Sequence, residues 1–389
     1  HYDLITIGGG PAGLAAAGVA VAAGMSVLIL EKATQPAGKL LISGGGKGNV
    51  TNRSVTTDDY IGENPRFTAE ALKKLTPEMF LRRLSQGGIA LEAREEGRIF
   101  CAHSAKDVLK MLLTALPFDR CRILCGRRVL KISRFDGTFS VLTEGEGGEA
   151  CFSAPKLIVA TGSAAWPQCG GDDSGLHLIR ALGHKIIPAR PVLVPLVLPP
   201  DSPLLGLAGI SALARVSCDL PETPAFTEAV LFTHKGLSGP AILQISCYWR
   251  KEITLFFDFL PHNDLRELLD NASGGATPQS ILSNFLPDRL CRALLPPQLA
   301  VRRASELSRK DRNFVVEAVR EHKVVPLRTE GMSRAEAAAG GIDTREVDPL
   351  TMESKLIPNL FFCGEVLDVV GRLGGYNLHW AWASGMLAG

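Results

Sequence analysis

Leu4-Ile-Thr-Ile-Gly-Gly-Gly-Pro-Ala-Gly-Leu-Ala-Ala-Ala-Gly-Val-Ala-Val-Ala-Ala-Gly-Met-Ser-Val-Leu-Ile-Leu-Glu31 decides the fold. The apolar run Leu4 to Ile7 reads as a strand ending in a glycine turn. A small-residue helix (Leu14 to Ala23) follows, Gly24 breaks it, and Val27 to Leu30 is β-rich: this is βαβ order. Gly8, Gly10 and Gly13 have the G-x-G-x-x-G spacing. The first makes the tight turn, the second lets the backbone approach a pyrophosphate, and the third lets helix and strand pack closely. The helix N-terminus, with Pro11 and Ala12 in its first turn, offers free N–H groups and a positive dipole end to phosphates. Glu31 ends the second strand, where a carboxylate can accept from ribose hydroxyls and repels a 2′-phosphate. A glycine turn in an unrelated α/β fold is the alternative, and strand, helix, strand and acid in this order count against it.

Ala12 to Leu30 carries no charge and is long enough to suggest a membrane helix. No basic segment precedes it, Pro11 and three glycines head it, and Gly24 splits it, so a buried helix–strand pair in a soluble, cytoplasmic protein is expected. The chain has 389 residues, enough for two or three domains. Its 42 basic and 40 acidic residues give a net charge of +2, which argues against a nucleic-acid binder that relies on a strongly positive surface; the expected partner is a small-molecule substrate, with no nucleic acid. The nine cysteines form no CxxC pair, so reduced thiols are expected and the paired-cysteine chemistry of disulfide reductases is excluded. No histidine pairing suggests a metal site.

Further along, Gly38 to Asn52 is a glycine-rich loop with many unhindered N–H groups, and Lys39 and Lys47 could balance phosphate charge; a merely flexible loop is the alternative. Helices are predicted over 68–84, restarting at Pro77, and over 104–116. Strand-like runs at 121–133, 138–143 and 150–153 suggest an antiparallel meander. Val129, in Arg128-Val-Leu-Lys131, could meet an adenine through its backbone or belong to an ordinary strand. Leu157 to Ala160 leads into Thr161-Gly162. Six prolines between Pro188 and Pro203 mark a boundary. Beyond it, 204–260 is strand-rich and 264–325 polar with helical periodicity. Gly340-Gly341 and Asp348-Pro349 mark the return; Leu360 to Glu365 is a strand meeting glycine, and Gly371 to Gly375 opens a last helix. The expected fold is α/β: a Rossmann-like nucleotide-binding domain in two parts, 1–188 and 343–389, around an insert, 189–342, β-rich over 189–262 and helical over 263–325.

Four longer motifs are distinctive: Gly38-Lys-Leu-Leu-Ile-Ser-Gly-Gly-Gly-Lys-Gly-Asn-Val-Thr-Asn52, Leu231-Phe-Thr-His-Lys-Gly-Leu-Ser-Gly-Pro-Ala-Ile-Leu-Gln244, Thr351-Met-Glu-Ser-Lys355, and Gly364-Glu-Val-Leu-Asp368 with Gly374-Gly-Tyr-Asn-Leu378. With them the whole chain resembles the BaiN-like (YhiN-like, aminoacetone-oxidase-type) family of NAD(P)/FAD-dependent oxidoreductases. The resemblance implies a two-dinucleotide-binding-type FAD domain split around an inserted β-barrel-like domain with a helical part. It implies FAD held by Gly8, Gly10, Pro11, Ala12, Gly13, Glu31, Lys32, Lys39, Leu40, Ser43, Gly44, Gly46, Asn49, Thr51, Val129, Ala160, Thr161, Gly162, Gly364, Glu365, Gly375, Tyr376, Asn377 and Leu378. Glu365 is then expected near the ribityl and pyrophosphate part, and the N-terminus of the last helix at the flavin N1/O2 edge. The chain departs from the family pattern at Lys47-Gly48 (commonly Arg-Cys), Ala337-Ala338 (Val-Thr), Val370 (an acid) and His379 (a glutamine).

The candidate catalytic residues are His234, as proton donor or as part of a turn that docks the insert, and Tyr376, as proton source or stacking wall. His379 is expected to be a half-buried helix residue and Cys363 strand filler. The expected activity is hydride transfer from NAD(P)H to FAD and on to a small-molecule acceptor, in the family an activated C=C bond or an amine. With one fingerprint only, NAD(P)H would visit the flavin transiently. The alternatives are an oxidase passing electrons to O₂, a flavin-binding redox sensor, and an RNA-modification protein. Against the last stands the charge balance; the run Arg120, Arg122, Arg127, Arg128, Lys131 and Arg134 reads as a solvated strand edge.

Overall fold

A computed structural model describes residues 2–64 and 66–389. Five parallel strands form the central sheet, in the order Leu360–Phe362, Lys156–Val159, Leu4–Ile7, Val27–Leu30, Cys121–Leu124. The first two strands in sequence are buried along their whole length, as a sheet covered on both faces requires. Between them runs the helix Pro11–Ala22. Its Ala16, Ala17 and Ala20 are fully buried, so small size and not amphipathicity shapes this element. The reason is the terminal helix Tyr376–Ala388, which lies against it. A Cβ on Gly385 would come within 2.4 Å of the Ala12 carbonyl oxygen, and one on Gly389 within 2.2 Å of that of Ala16. The other flanks of the terminal helix carry Trp380 and Trp382, both buried. Their indoles donate to Gly364 O at 3.1 Å and Val50 O at 2.9 Å.

The run 121–133 is two elements, not one. Cys121–Leu124 ends the parallel sheet, and Arg128–Phe135 starts an antiparallel meander with Thr138–Gly145 and Gly148–Ala154. The break is a turn at Gly126 (φ +68°), whose N–H donates to Ala33 O while Arg127 N–H donates to Glu31 O. The glycine-rich stretch is more ordered than a loop: a short helix, Gly38–Ile42, then glycine turns, then the strand Asn49–Asn52 paired with Arg98–Cys101.

The chain divides into two compact units, one running to Pro191 and resuming at Glu336–Gly389, the other Val192–Ala335. Residues 189–191 and 336–342, expected in the insert, belong to the first unit, and Ala337–Ile342 pairs with the strand Ile186–Val192. Gly340 (φ +88°) makes that pairing possible, because a Cβ there would lie 2.4 Å from Pro188 O. The glycine pair marks a close backbone approach inside the first unit and not the end of the insert.

The second unit has its own core around a seven-stranded antiparallel sheet. The order is His322–Val324, Leu255–Asp258, Ser211–Cys218, Phe226–Phe232, Gly236–Ser238, Leu196–Val197, Arg328–Thr329. Phe257 and Phe232 both stack on Phe259, with centroids 5.6 and 6.3 Å from it. The helical tract includes Leu265–Asp270, Asp288–Leu294 and Arg309–Arg320. In the last, Ser308 and Asp311 form a capping box, and Val315 and Val319 face the core. His322–Val324, expected in the helical part, is an edge strand.

Because each unit closes its own core, replacing 192–335 by a flexible Gly-Ser linker is expected to leave the first unit folded. Circular dichroism of that variant should show one cooperative melt, and loss of the transition would refute the independence of the unit.

Candidate functional site

The fingerprint glycines do different work. Gly8 has φ +106°, and a Cβ on it would lie 2.3 Å from Ala160 O; on Gly13 it would lie 2.0 Å from Gly8 O. These two are demanded by packing. A Cβ on Gly10 would meet nothing within 4 Å. Gly10 caps the helix without a side-chain hydrogen bond, and the first-turn N–H groups of Ala12 and Gly13 have no acceptor within the helix. The space above Gly10 is therefore a donor-lined cradle. Glu31 is fixed beside it, its two carboxylate oxygens accepting from Gly9 N–H and Ala33 N–H at 2.7 Å each. Each oxygen keeps a lone pair for a further donor such as a ribose hydroxyl.

In the second glycine stretch, Gly44, Gly45, Gly46 and Gly48 all have positive φ. Leu40, an expected cofactor contact, is fully buried in the core of the first unit instead of lining an open surface. Ser43 Oγ donates to Leu40 O at 2.8 Å. The Asn49 amide, oriented with its oxygen toward Gly375 N–H at 3.0 Å, gives its nitrogen to Thr51 O and Ile99 O. Thr51 turns its hydroxyl inward to His379 Nδ1, at 2.8 Å. Two lysines are already paired: Lys47 with Glu92 at 2.9 Å and Lys32 with Asp172 at 2.6 Å. Lys47 thus serves the sheet edge and not the cradle.

The C-terminal segment closes the site. Gly364 (φ +76°) packs on Ala12, and Gly375 (φ +97°) on the Thr51 carbonyl, where a Cβ would fall within 2.4 Å. Asn377 both accepts from Gly371 N–H and donates to Gly371 O, holding the turn that presents the helix. Gly385 is the tenth residue of the terminal helix and packs on Ala12, the second of the first helix. The terminal helix therefore extends about 12 Å further at its N-terminal end, at 1.5 Å per residue. The two positive helix ends are staggered, as suits a ligand with phosphates at one end and an electron-accepting ring at the other.

The expected cofactor residues all fall in the first unit. Gly8 meets Ala160, whose N–H donates to Ile7 O; Ala12 meets Gly364; Thr51 meets Gly375; and Lys39 meets Glu365. Thr161 packs on Gly175. Val129 is buried by its side chain, and Asp172 joins its neighbour Arg128 to Lys32. The residues present fit FAD: unhindered backbone at Gly10, Gly45 and Gly162, where a Cβ would meet nothing, and in Glu31 a fixed carboxylate that could take a ribose hydroxyl. His234 is not among them. It is an exposed residue of the second unit, in the hairpin turn closed by Thr233 N–H donating to Gly236 O at 2.7 Å. Burial pushes the Tyr376 hydroxyl up to about 12, so it keeps its proton throughout the neutral range. Tyr60 donates to the Tyr376 carbonyl at 3.0 Å.

Three participants escaped the sequence reading. Ser163 touches both Lys39 and Glu365, and its place directly after Thr161-Gly162 was the available signal. Asp172 holds Lys32 and Arg128 with no motif to announce it. Asp368 lies inside a quoted motif, and its carboxylate ties Glu63 N–H at 2.9 Å to Gly340 N–H at 3.0 Å.

His379 is fully buried and not half-buried. Its Nε2 faces Leu75 O at 2.9 Å and its Nδ1 faces the Thr51 hydroxyl, which assigns the proton to Nε2. Desolvation lowers the imidazole to about 4. Cys363 is strand filler as expected, its thiol pushed up to about 12 by complete burial.

Gly10→Ala should leave the cofactor-free melt within about 0.5 kcal/mol of wild type yet weaken FAD binding tenfold or more, roughly. Gly13→Ala should destabilise the fold itself by about 3 kcal/mol. Paired melting and flavin-fluorescence measurements check both, and equal destabilisation by the two would refute the division. For His379, the unfolded chain takes up a proton below about pH 6.5, the folded chain only below about 4. Stability should therefore fall as pH drops through that window, by up to about 1.4 kcal/mol per pH unit. In His379→Gln the fall should be shallower, measured by denaturant melts from pH 7 to 4.

The HI0933-like protein Rossmann domain model matches residues 2–389. A ribosomal RNA dihydrouridine synthase of Escherichia coli (strain K12) is 34% identical over 395 residues, covering 99% of this chain and 96% of that protein. A 3-dehydro-bile acid delta(4,6)-reductase of Clostridium scindens is 33% identical over 408 residues, covering 98% and 97%. Among solved structures, the open conformation of a flavocytochrome c3 fumarate reductase superposes with a TM-score of 0.50 at 15% identity, over 100% of this chain and 77% of that one. At that identity the likeness concerns the fold alone. Among the described residues no helix is long and apolar enough to cross a membrane. From its first strand to its last helix the chain belongs to the HI0933-like family of Rossmann-fold, FAD-dependent oxidoreductases, as its resemblance to BaiN-like and YhiN-like proteins implied.

Proposed function

We propose that this flavoprotein takes a hydride from NAD(P)H and reduces a C=C bond conjugated to a carbonyl group. The observation that carries the reading is the common chemistry of two full-length relatives. Dihydrouridine is uridine with two hydrogens added across a C=C bond beside a carbonyl, and a 3-dehydro delta(4,6) bile acid carries a diene conjugated to its ketone. FAD supplies the hydride chemistry.

The chain's own residues bind, orient and manage charge. The donors of the Gly10 cradle and Glu31 take the dinucleotide end. The N-terminus of the terminal helix favours the negative charge that accompanies flavin reduction. Tyr376 is the proton donor in this reading because it is the first residue of the helix whose N-terminus is assigned to the flavin, and its hydroxyl carries a proton at neutral pH. His234 is assigned the hairpin turn and no proton transfer. The balanced charge of the chain favours a small acceptor, whereas two relatives, the second from Haemophilus influenzae at 33% identity, are named for ribosomal RNA; the assay separates the two.

Under anaerobic conditions the yellow protein is expected to bleach with NADH or NADPH. The colour should return on adding either a conjugated steroid ketone or unmodified ribosomal RNA, with the saturated product found by mass spectrometry. Bleaching followed by reoxidation with O₂ alone would replace this reading by an oxidase. Tyr376→Phe should slow reoxidation by the acceptor about a hundredfold and leave bleaching by NAD(P)H unchanged.

A further inference from the structure

Lys39 and Glu365 stand 326 positions apart in sequence and meet with Nζ 2.6 Å from Oε2. Ser163 Oγ donates to the same carboxylate oxygen at 3.0 Å, and Lys39 Nζ lies 3.3 Å from that hydroxyl. Both charged side chains are largely withdrawn from water, at 25% and 15% exposure. Each of the three sits on a wall of the cradle. Lys39 belongs to the helix Gly38–Ile42, Ser163 follows Gly162, and Glu365 follows Gly364, where a Cβ would come 2.8 Å from that of Ala12.

Glu365 thus follows directly on Gly364, which packs on the first turn of the helix assigned the two phosphate charges of the cofactor. Unbalanced, it would repel a diphosphate, and half-buried groups are poorly screened. We propose that Lys39 sets cofactor affinity by acting through Glu365: its ammonium cancels the carboxylate, so that the cradle presents no net negative charge to a diphosphate. Ser163 holds the oxygen in register. The same pair joins the first and last segments of the split domain, so neutralising the charge and closing the site are one contact. This proposal rests on FAD lying at Gly8 to Gly13, a premise that FAD binding by the wild-type chain tests separately.

A lysine that simply bonds a phosphate loses that bond whatever occupies position 365. A lysine that neutralises Glu365 matters only while position 365 is charged. FAD affinity of the full-length chain is measured by flavin-fluorescence titration for wild type, Lys39→Gln, Glu365→Gln and the double variant. Lys39→Gln is expected to raise Kd about tenfold or more in the wild-type background and less than about threefold when Glu365 is already Gln. Equal effects in both backgrounds, or none in either, overturn the proposal. Lys39→Arg keeps the charge and should keep Kd near wild type, which guards against a folding defect in the glutamine variant; an arginine variant as weak as Lys39→Gln also overturns it.

Discussion

The close approach of the first and last helices is the constraint on which the site depends. Gly385 over the Ala12 carbonyl and Gly389 over that of Ala16 leave no room for a Cβ. That contact fixes the terminal helix along its own axis, and with it the stagger between two positive helix ends. A larger residue at Gly385 would push the helices apart, and Gly364, wedged against Ala12, would move with them. The sheet could survive such a shift. A cradle assembled from segments at both ends of the chain could not.

Interactions that carry no chemistry position those that do. Asn377 grips Gly371 with both ends of its amide. Asn49 links its own strand to Gly375 and Ile99, and Trp382 donates to Val50 O. These bonds connect the glycine stretch to the terminal helix, so the two walls of the site form one packed body. Such bonds within a buried site are stronger than in water, and a missing partner is costly. The polar residues quoted in the family motifs therefore divide into those that face the cradle through backbone groups and those that hold its walls.

The fold was legible because its signals were local. Gly8, Gly10 and Gly13 between an apolar run and a small-residue helix encode a turn, and Glu31 follows at the end of the next strand. Which glycines serve packing and which serve a ligand was not legible, since the difference lies in residues far off in sequence, Ala160 for Gly8 and none for Gly10. The break at Cys125 to Arg127 was hidden for the same reason: the bonds that bend the chain there go to Glu31 and Ala33. Ion pairs such as Lys32 with Asp172 join surface residues without pattern, and only the folded chain reveals them.

His379 explains one departure from the family pattern. A glutamine at that place offers a donor group and an acceptor group in a neutral side chain. Neutral histidine offers the same, with Nε2–H toward Leu75 O and Nδ1 toward the Thr51 hydroxyl. Histidine sets its aromatic ring edge-on to Phe80, at 6.4 Å. It also introduces a group that must stay unprotonated where it is fully buried. Histidine thus fills the donor and acceptor places behind Thr51 at a site whose burial disfavours protonation, so the cost of holding it there is expected in stability at acid pH.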